Sequence, residues 1–184
     1  MVYPDCMIDL ETMSTRPNAA IVAIGAVAFN FATLEIGPKF YTVIDLRSAQ
    51  DVGLHVDGDT VLWWLQQNDA ARSQLTLSHR QDLSRALTAF RMWLHSECAP
   101  QASVRPWGNG AAFDIVICEQ AFRACGIEIP WRYSNQCCYR TIKTLYPNVE
   151  PDARGGTHHN ALDDALFQAE HLLKIRRTLK GNKK

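Results

Sequence analysis

Asp9 and Glu11 stand one residue apart in a stretch that reads as a β-strand, and a strand's period of two puts both carboxylates on one face. Nothing apolar on that face welcomes them. Two like charges so close repel and resist ionisation unless a cation stands between them. A hard divalent ion such as Mg2+ or Mn2+ is the usual solution. The fold must therefore bring further oxygen ligands to this strand or leave the pair in solvent.

Two further groups follow in order. Phe113-Asp114 lies about a hundred residues on, at a loop-to-helix junction, and His159-Asn160-Ala161-Leu162-Asp163-Asp164 opens the last long helix. Each piece alone has an ordinary reading: a solvated strand edge, a helix cap, a chance His and Asp. Their order and spacing together make the set that a two-metal phosphodiesterase needs.

On these residues the chain resembles the DEDDh 3′–5′ exonucleases, with Asp9 and Glu11 as the first motif, Asp114 as the second, and His159 with Asp164 as the third. It is most similar to phage and prophage exodeoxyribonuclease VIII-like enzymes and to mycobacterial-type 3′–5′ exoribonuclease domains. That closer similarity runs through Met7 to Asn30, through Trp63-Trp64-Leu65-x-Gln67 leading into Ala71-Arg72, and through His159 to Ala165. The resemblance implies an RNase H-like α/β fold, a mixed sheet with flanking helices. It implies two Mg2+ or Mn2+ ions held by Asp9, Glu11, Asp114 and Asp164, with His159 taking the proton from the attacking water. It also implies single-stranded DNA or RNA 3′ ends as partners and 5′-nucleoside monophosphates as products. By position, Thr12, Met13 and Phe113 would touch the terminal nucleotide, although Met13 and Phe113 read equally well as core. Two other readings stay open: an RNase H-like endonuclease, and a catalytically silent nucleic-acid-binding module.

The third motif contains an ambiguity, since His158 with Asp163 has the same spacing of five as His159 with Asp164. Asn160 is a good N-cap, which places Asp163 at the third helical position, where a carboxylate favours the helix N-terminus and reaches back toward the cap. That gives Asp163 a structural task and leaves Asp164 for metal. The family pattern, with Ala161 two residues after the histidine, agrees with His159 as the base.

The chain's 184 residues suit a single domain with a full core, expected over 1–178 with a basic polar tail over 179–184. The longest apolar stretch, Ala19 to Phe31, is shorter than a bilayer span, and the N-terminus carries acid in place of a basic leader; the expectation is a cytoplasmic protein with no membrane partner. A homodimer is left open. None of the six cysteines forms a C-x2-C pair, so reduced, mostly buried thiols are expected. Formal net charge is zero. Lys174, Arg176, Arg177, Lys180, Lys183 and Lys184, with Arg132, Arg140, Lys143 and Arg154, are candidates for a positive rim around an acidic floor, or for ordinary solvated helix ends.

Alternation and turn residues predict strands at Cys6–Leu10, Ile21–Asn30 and Lys39–Asp45, a meander with turns at Thr33 and Gly37-Pro38. Helical spacing predicts a segment capped by Asp59 and holding Trp63 and Trp64, then a helix over Gln81–Glu97. A fourth strand over Ser103–Trp107 leads through Gly108-Asn109-Gly110 into a helix over Phe113–Cys125 closed by Gly126. A short helix over Asn135–Tyr146 and a long amphipathic one from Asn160 complete the chain.

Overall fold

The computed structural model describes residues 2–75, 79–110 and 112–181. Its centre is a five-stranded mixed sheet in the order β3-β2-β1-β4-β5. Strands β1 (Asp5–Thr12), β2 (Ile21–Asn30) and β3 (Glu35–Val43) form the expected antiparallel meander. Strand β4 (Arg105–Gly108) runs parallel to β1, and the two-residue β5 (Cys137–Cys138) runs parallel to β4.

Seven helices are described. These are α1 (Leu46–Asp51), α2 (Gly58–Leu65), α3 (Asp69–Leu75), α4 (Leu83–Glu97), α5 (Asp114–Ala124), α6 (Tyr139–Leu145) and α7 (Ala161–Gly181). Alternation along β1 splits the core in two. Cys6, Ile8 and Leu10 face the larger cluster, with Leu87 and Phe90 of α4 and Ile117 and Phe122 of α5. Met7 faces the smaller one, with Ala165, Ala169 and Leu172 of α7. Asp5, Asp9 and Glu11 share the parity of Met7 and so lie on the α7 side.

Several expected boundaries move, each for a local reason. Gly37-Pro38 sits inside β3 and makes no turn. The turn falls at residues 31–34, where Asn30 Oδ1 accepts the amides of Ala32 (2.9 Å) and Thr33 (3.1 Å) and Leu34 takes a positive φ of 69°. Pro38 is tolerated because β3 is an edge strand whose register with β2 breaks between Val27 and Phe29. Helix α2 is capped by Asp57, whose Oδ1 accepts the amides of Asp59 (2.9 Å) and Thr60 (3.4 Å), so Asp59 belongs to the first turn. Helix α4 likewise starts behind Asp82 and not at Gln81. The segment expected as one helix from Asn135 divides into a 3-10 turn, β5 and α6.

Helix α7 continues to Gly181, and residues 182–184 of the expected tail lie outside the described residues. All six cysteines are free; Cys6, Cys98 and Cys118 are buried, while Cys125, Cys137 and Cys138 are half-buried. Among the described residues no helix is long and apolar enough to cross a membrane.

One close approach positions the site. A Cβ on Gly25 would overlap the backbone of Ala161 and Leu162, so glycine at this point of β2 lets the start of α7 lie directly on the sheet. Gly25 pairs with Asp9 in the β1–β2 register, which brings the head of α7 over the carboxylates of β1.

Candidate active site

The C-terminal half of β1, the start of α5 and the start of α7 converge on a cleft of about 370 Å³ whose lining includes Asp9, Glu11, Asp114, His159 and Asp164. Each comes from an element terminus or a sheet position that fixes its backbone. Asp9 is half-buried on β1, and its Oδ1 accepts the Gln168 side-chain amide at 2.7 Å. Glu11, 7% exposed, precedes a β-bulge between Glu11 and Thr12. Asp114 opens α5 and ties three elements together: Oδ1 accepts the Leu10 amide of β1 (3.3 Å) and Oδ2 accepts the Asn109 amide after β4 (3.0 Å).

On α7, Asn160 Oδ1 caps the helix by accepting the amides of Leu162 and Asp163, both at 3.1 Å. Asp163 turns away from the cleft floor and accepts the Thr157 amide at 2.7 Å, bracing the preceding loop instead of the cap itself. Asp164 accepts the His159 amide at 3.2 Å through Oδ2 and forms an ion pair with Arg154 through Oδ1. His159 holds a positive φ of 63°, a left-handed conformation that histidine adopts more readily than bulkier residues. Its ring stands edge-on to Trp63 at 5.0 Å and to Trp64 at 6.0 Å.

The electrostatics are those of an anionic cluster short of cations. Burial pushes the Glu11 carboxyl up to about 8, helped by Asp114 and opposed by Arg154. Burial, then Asp114 and Glu11, raise Asp9 well above the usual carboxylate range. Asp114 is pushed up to about 6 by burial, against the amides of Asn109 and Leu10 that favour its ionised form. His159 is lowered by burial, by His158 and by Arg154, and so is held neutral near pH 7.

Glu11 Oε1 and Gln168 Oε1 are buried with no hydrogen-bond partner among the described residues. Buried acceptors without donors are rare and call for an explanation. Ligand atoms of Glu11, His159 and Asp164 lie within 4.8 Å of one another. Asp9 and Asp114 line the same cleft but fall outside that group of two carboxylates and one imidazole. A carboxylate-rich lining with an orphaned oxygen fits a hard divalent cation better than a soft one.

A second lobe of about 550 Å³ shares Leu10, Glu11 and Phe113 with the first and adds Thr12, Ser14, Trp63 and Trp64. Phe113 therefore stands where the two lobes meet. Thr12 lines the second lobe, but its hydroxyl is engaged with Ser14 O at 2.8 Å. Met13 lines neither lobe; it is 7% exposed and packs in the larger core cluster. Trp64 is buried, donating to Thr12 O at 3.0 Å, whereas Trp63 is 41% exposed beside His159.

Of the expected positive rim, Arg140, Lys143 and Arg154 line the cleft. On α7, Arg177 is exposed and does not line the cleft, and three other cations are engaged elsewhere. Lys174 pairs with Asp152 at 2.6 Å, the Arg176 guanidinium sits 5.2 Å from the Phe31 ring, and Lys180 reaches Ala32 O. Arg132 is exposed and does not line the cleft; Lys183 and Lys184 lie outside the described residues.

Gln168 escaped the sequence reading, although it lies four residues after Asp164 on one helix face, a spacing that gives it away in hindsight. Arg154 belongs to the expected rim. Its pairing with Asp164 is a tertiary contact that no local spacing announces.

Comparison with known proteins agrees with this architecture. The nuclease domain of 3′hExo, a DEDDh family member bound to rAMP, superposes with a TM-score of 0.63 at 14% identity, covering 97% of this chain and 92% of that one. Exonuclease X in complex with 5′ overhanging duplex DNA gives 0.59 at 15% identity, covering 95% and 92%. The zinc-bound E. coli exonuclease I–ssDNA complex gives 0.64 at 12% identity; it covers 97% of this chain, which spans only 41% of that one. These likenesses establish the RNase H-like exonuclease fold. No curated protein matches the chain by sequence. The sequence does match, over residues 4–176, the family described as the 3′–5′ exoribonuclease Rv2179c-like domain. That match spans the sheet, the cleft and most of α7, and with it the chain belongs to the Rv2179c-like family of 3′–5′ exonucleases.

Proposed function

We propose that the domain, expected over residues 1–178, removes nucleotides from the 3′ ends of single-stranded RNA or DNA as 5′-nucleoside monophosphates. In this reading Asp9, Glu11, Asp114 and Asp164 would hold two divalent ions, and His159 would accept the proton of the attacking water. The observation that carries this reading is the orphaned, buried Glu11 Oε1 within a group of carboxylates whose ionisation is suppressed. A bound divalent cation relieves both features at once.

When bound, two divalent ions would supply activation of the attacking water and neutralisation of the departing 3′-oxygen. Gln168 fixes one oxygen of Asp9 by donating to it, leaving the other free to ligate. Asp114 is held by two backbone amides, so its carboxylate needs no reorganisation. His159 is neutral near pH 7 and lines the cleft, so its ring is free to take a proton from water. Phe113 offers an aromatic face where the two lobes meet, suited to a terminal base. The family description favours RNA as the first substrate to try.

The test is product analysis with matched 5′-labelled RNA and DNA oligonucleotides in Mg2+ and in Mn2+. A ladder shortened stepwise from the 3′ end, abolished by a chelator, is expected. Cutting within a strand whose 3′ end is blocked would instead identify an endonuclease, and turnover that survives chelation would remove the metal mechanism.

A further inference from the structure

Arg154 reaches the cleft from the loop between α6 and α7, and its side chain is 27% exposed. It pairs with Asp164 Oδ1, and its guanidinium carbon lies 4.8 Å from the Phe167 ring centroid. Asp164 Oδ2 is taken by the His159 amide. Both oxygens of the fourth carboxylate are thus occupied, while Glu11 Oε1 in the same cluster has no partner among the described residues.

A divalent ion that uses Asp164 Oδ1 must displace the guanidinium, because two cations at one oxygen repel each other strongly in a partly dry cleft. The displaced group stays close. Two glycines follow Arg154, Gly156 with a positive φ of 75°, and Arg140 and Lys143 of α6 face the same cleft. The anion that reaches such a site is a phosphodiester, and the planar fork of arginine suits it.

Resting on the reading of the carboxylates as a divalent-ion site, we propose that Arg154 is an exchangeable counter-cation. Its guanidinium holds Asp164 while divalent ions are absent and yields that oxygen when they enter. It then pairs with the phosphate next to the 3′-terminal nucleotide. One side chain therefore senses ion loading and grips the substrate. The order follows from charge: before loading, the carboxylate is its best partner, and after loading, the incoming phosphate is.

The experiment is calorimetric titration of Mn2+ into the full chain without nucleic acid, for wild type, Arg154→Ala, Arg154→Lys and Asp164→Asn. Thermal midpoints in chelator, and affinity and KM for a 3′-hydroxyl oligonucleotide across a salt series, are measured alongside. Arg154→Ala is expected to bind Mn2+ about tenfold more tightly than wild type and to melt lower in chelator. Its oligonucleotide affinity should lose about one unit of salt-dependence slope while KM rises. Arg154→Lys should fall between the two, and it carries the test if the alanine variant does not fold. Wild type that binds Mn2+ no more weakly than Arg154→Ala overturns the exchange and leaves the metal site standing. Tighter Mn2+ binding with unchanged KM and salt slope overturns the phosphate contact, and Asp164→Asn binding as tightly as wild type removes Asp164 as the contested ligand. Wild type that takes up no Mn2+ overturns the metal site and the exchange together.

Discussion

Asp5 and the pair Asp9–Glu11 project from the same face of the same strand, yet they occupy opposite environments. Asp5 is fully buried and fully answered: Arg105 grips both its oxygens at 2.7 Å, Trp107 Nε1 donates at 2.9 Å and the Phe31 amide at 3.1 Å. Glu119 on α5 is similar, with donors from Trp131 (2.9 Å), Gln136 (2.6 Å) and Arg123 (3.2 Å). Among the described residues Asp9 has one side-chain donor, and Glu11 keeps an oxygen with none. Burial of a carboxylate is therefore no mark of function in this protein. What separates the two ends of β1 is whether the protein itself supplies the counter-charge. Asp5 is a rivet between β1, β4 and the β2–β3 turn, whereas Asp9 and Glu11 lack such an answer among the described residues.

That contrast can be broken by substitution. The largest effect is expected at the unanswered end: Asp9→Asn should slow hydrolysis of a labelled oligonucleotide by at least about 10³-fold. Its melting transition in chelator should stay level or rise, since one of the repelling charges is gone. His159→Ala should lose about 10² to 10⁴ in rate, the usual contribution of a general base, again with an intact transition. The answered end should do the reverse. Asp5→Ala should cost about 3 to 5 kcal/mol in denaturant unfolding, because it strands a partly buried guanidinium, while the rate per folded molecule stays near wild type. A rate loss at Asp5 without a stability loss would erase the distinction.

Gly25→Ala probes the element that joins the two themes. Its Cβ would press α7 off β2, so we expect about 1 to 3 kcal/mol of destabilisation by overpacking. A rate loss approaching about 10²-fold should accompany it as Asp164 and His159 shift, read by unfolding and kinetics on one preparation.

The smallest effect is in pH. Folding raises the Glu11 carboxyl from 4.5 to about 8 and that of Asp114 from 3.8 to about 6. A raised folded value means that these groups favour the native state below their unfolded values and lose that contribution as pH rises through the folded ones. In chelator the thermal midpoint should therefore fall between about pH 5 and pH 8, by a few degrees. Saturating Mn2+ should flatten the slope, because an ionised carboxylate is then the ligand. A midpoint that rises with pH in chelator would contradict the cluster's electrostatics.

The acidic constellation was legible because its spacings are local: parity along a strand joins Asp9 to Glu11, and one turn at a capped helix start joins His159 to Asp164. The meander was legible for the same reason, through the unbroken apolar run of β2. Other features depend on what lies across space. Asp57 and Asp59 are equally plausible caps until the chain direction is known, and Gly37-Pro38 reads as a turn until β3 is seen to be an edge strand. Strand β5 is two residues long and exists only because β4 is beside it. Met13 has the chain position of a substrate contact, but the register break after Glu11 accompanies a path that carries it into the core. Gln168 carries no charge to mark it, and no local rule links Arg154 to Asp164.

If the four carboxylates are a seat for divalent ions, a heavier divalent ion should be visible there. Anomalous diffraction from crystals soaked in Mn2+ tests it most directly. Mn2+ peaks bounded by Asp9, Glu11, Asp114 and Asp164 are expected, with Glu11 Oε1 in a coordination sphere. A map with Mn2+ only at surface carboxylates, and Glu11 Oε1 still without a partner, would contradict it.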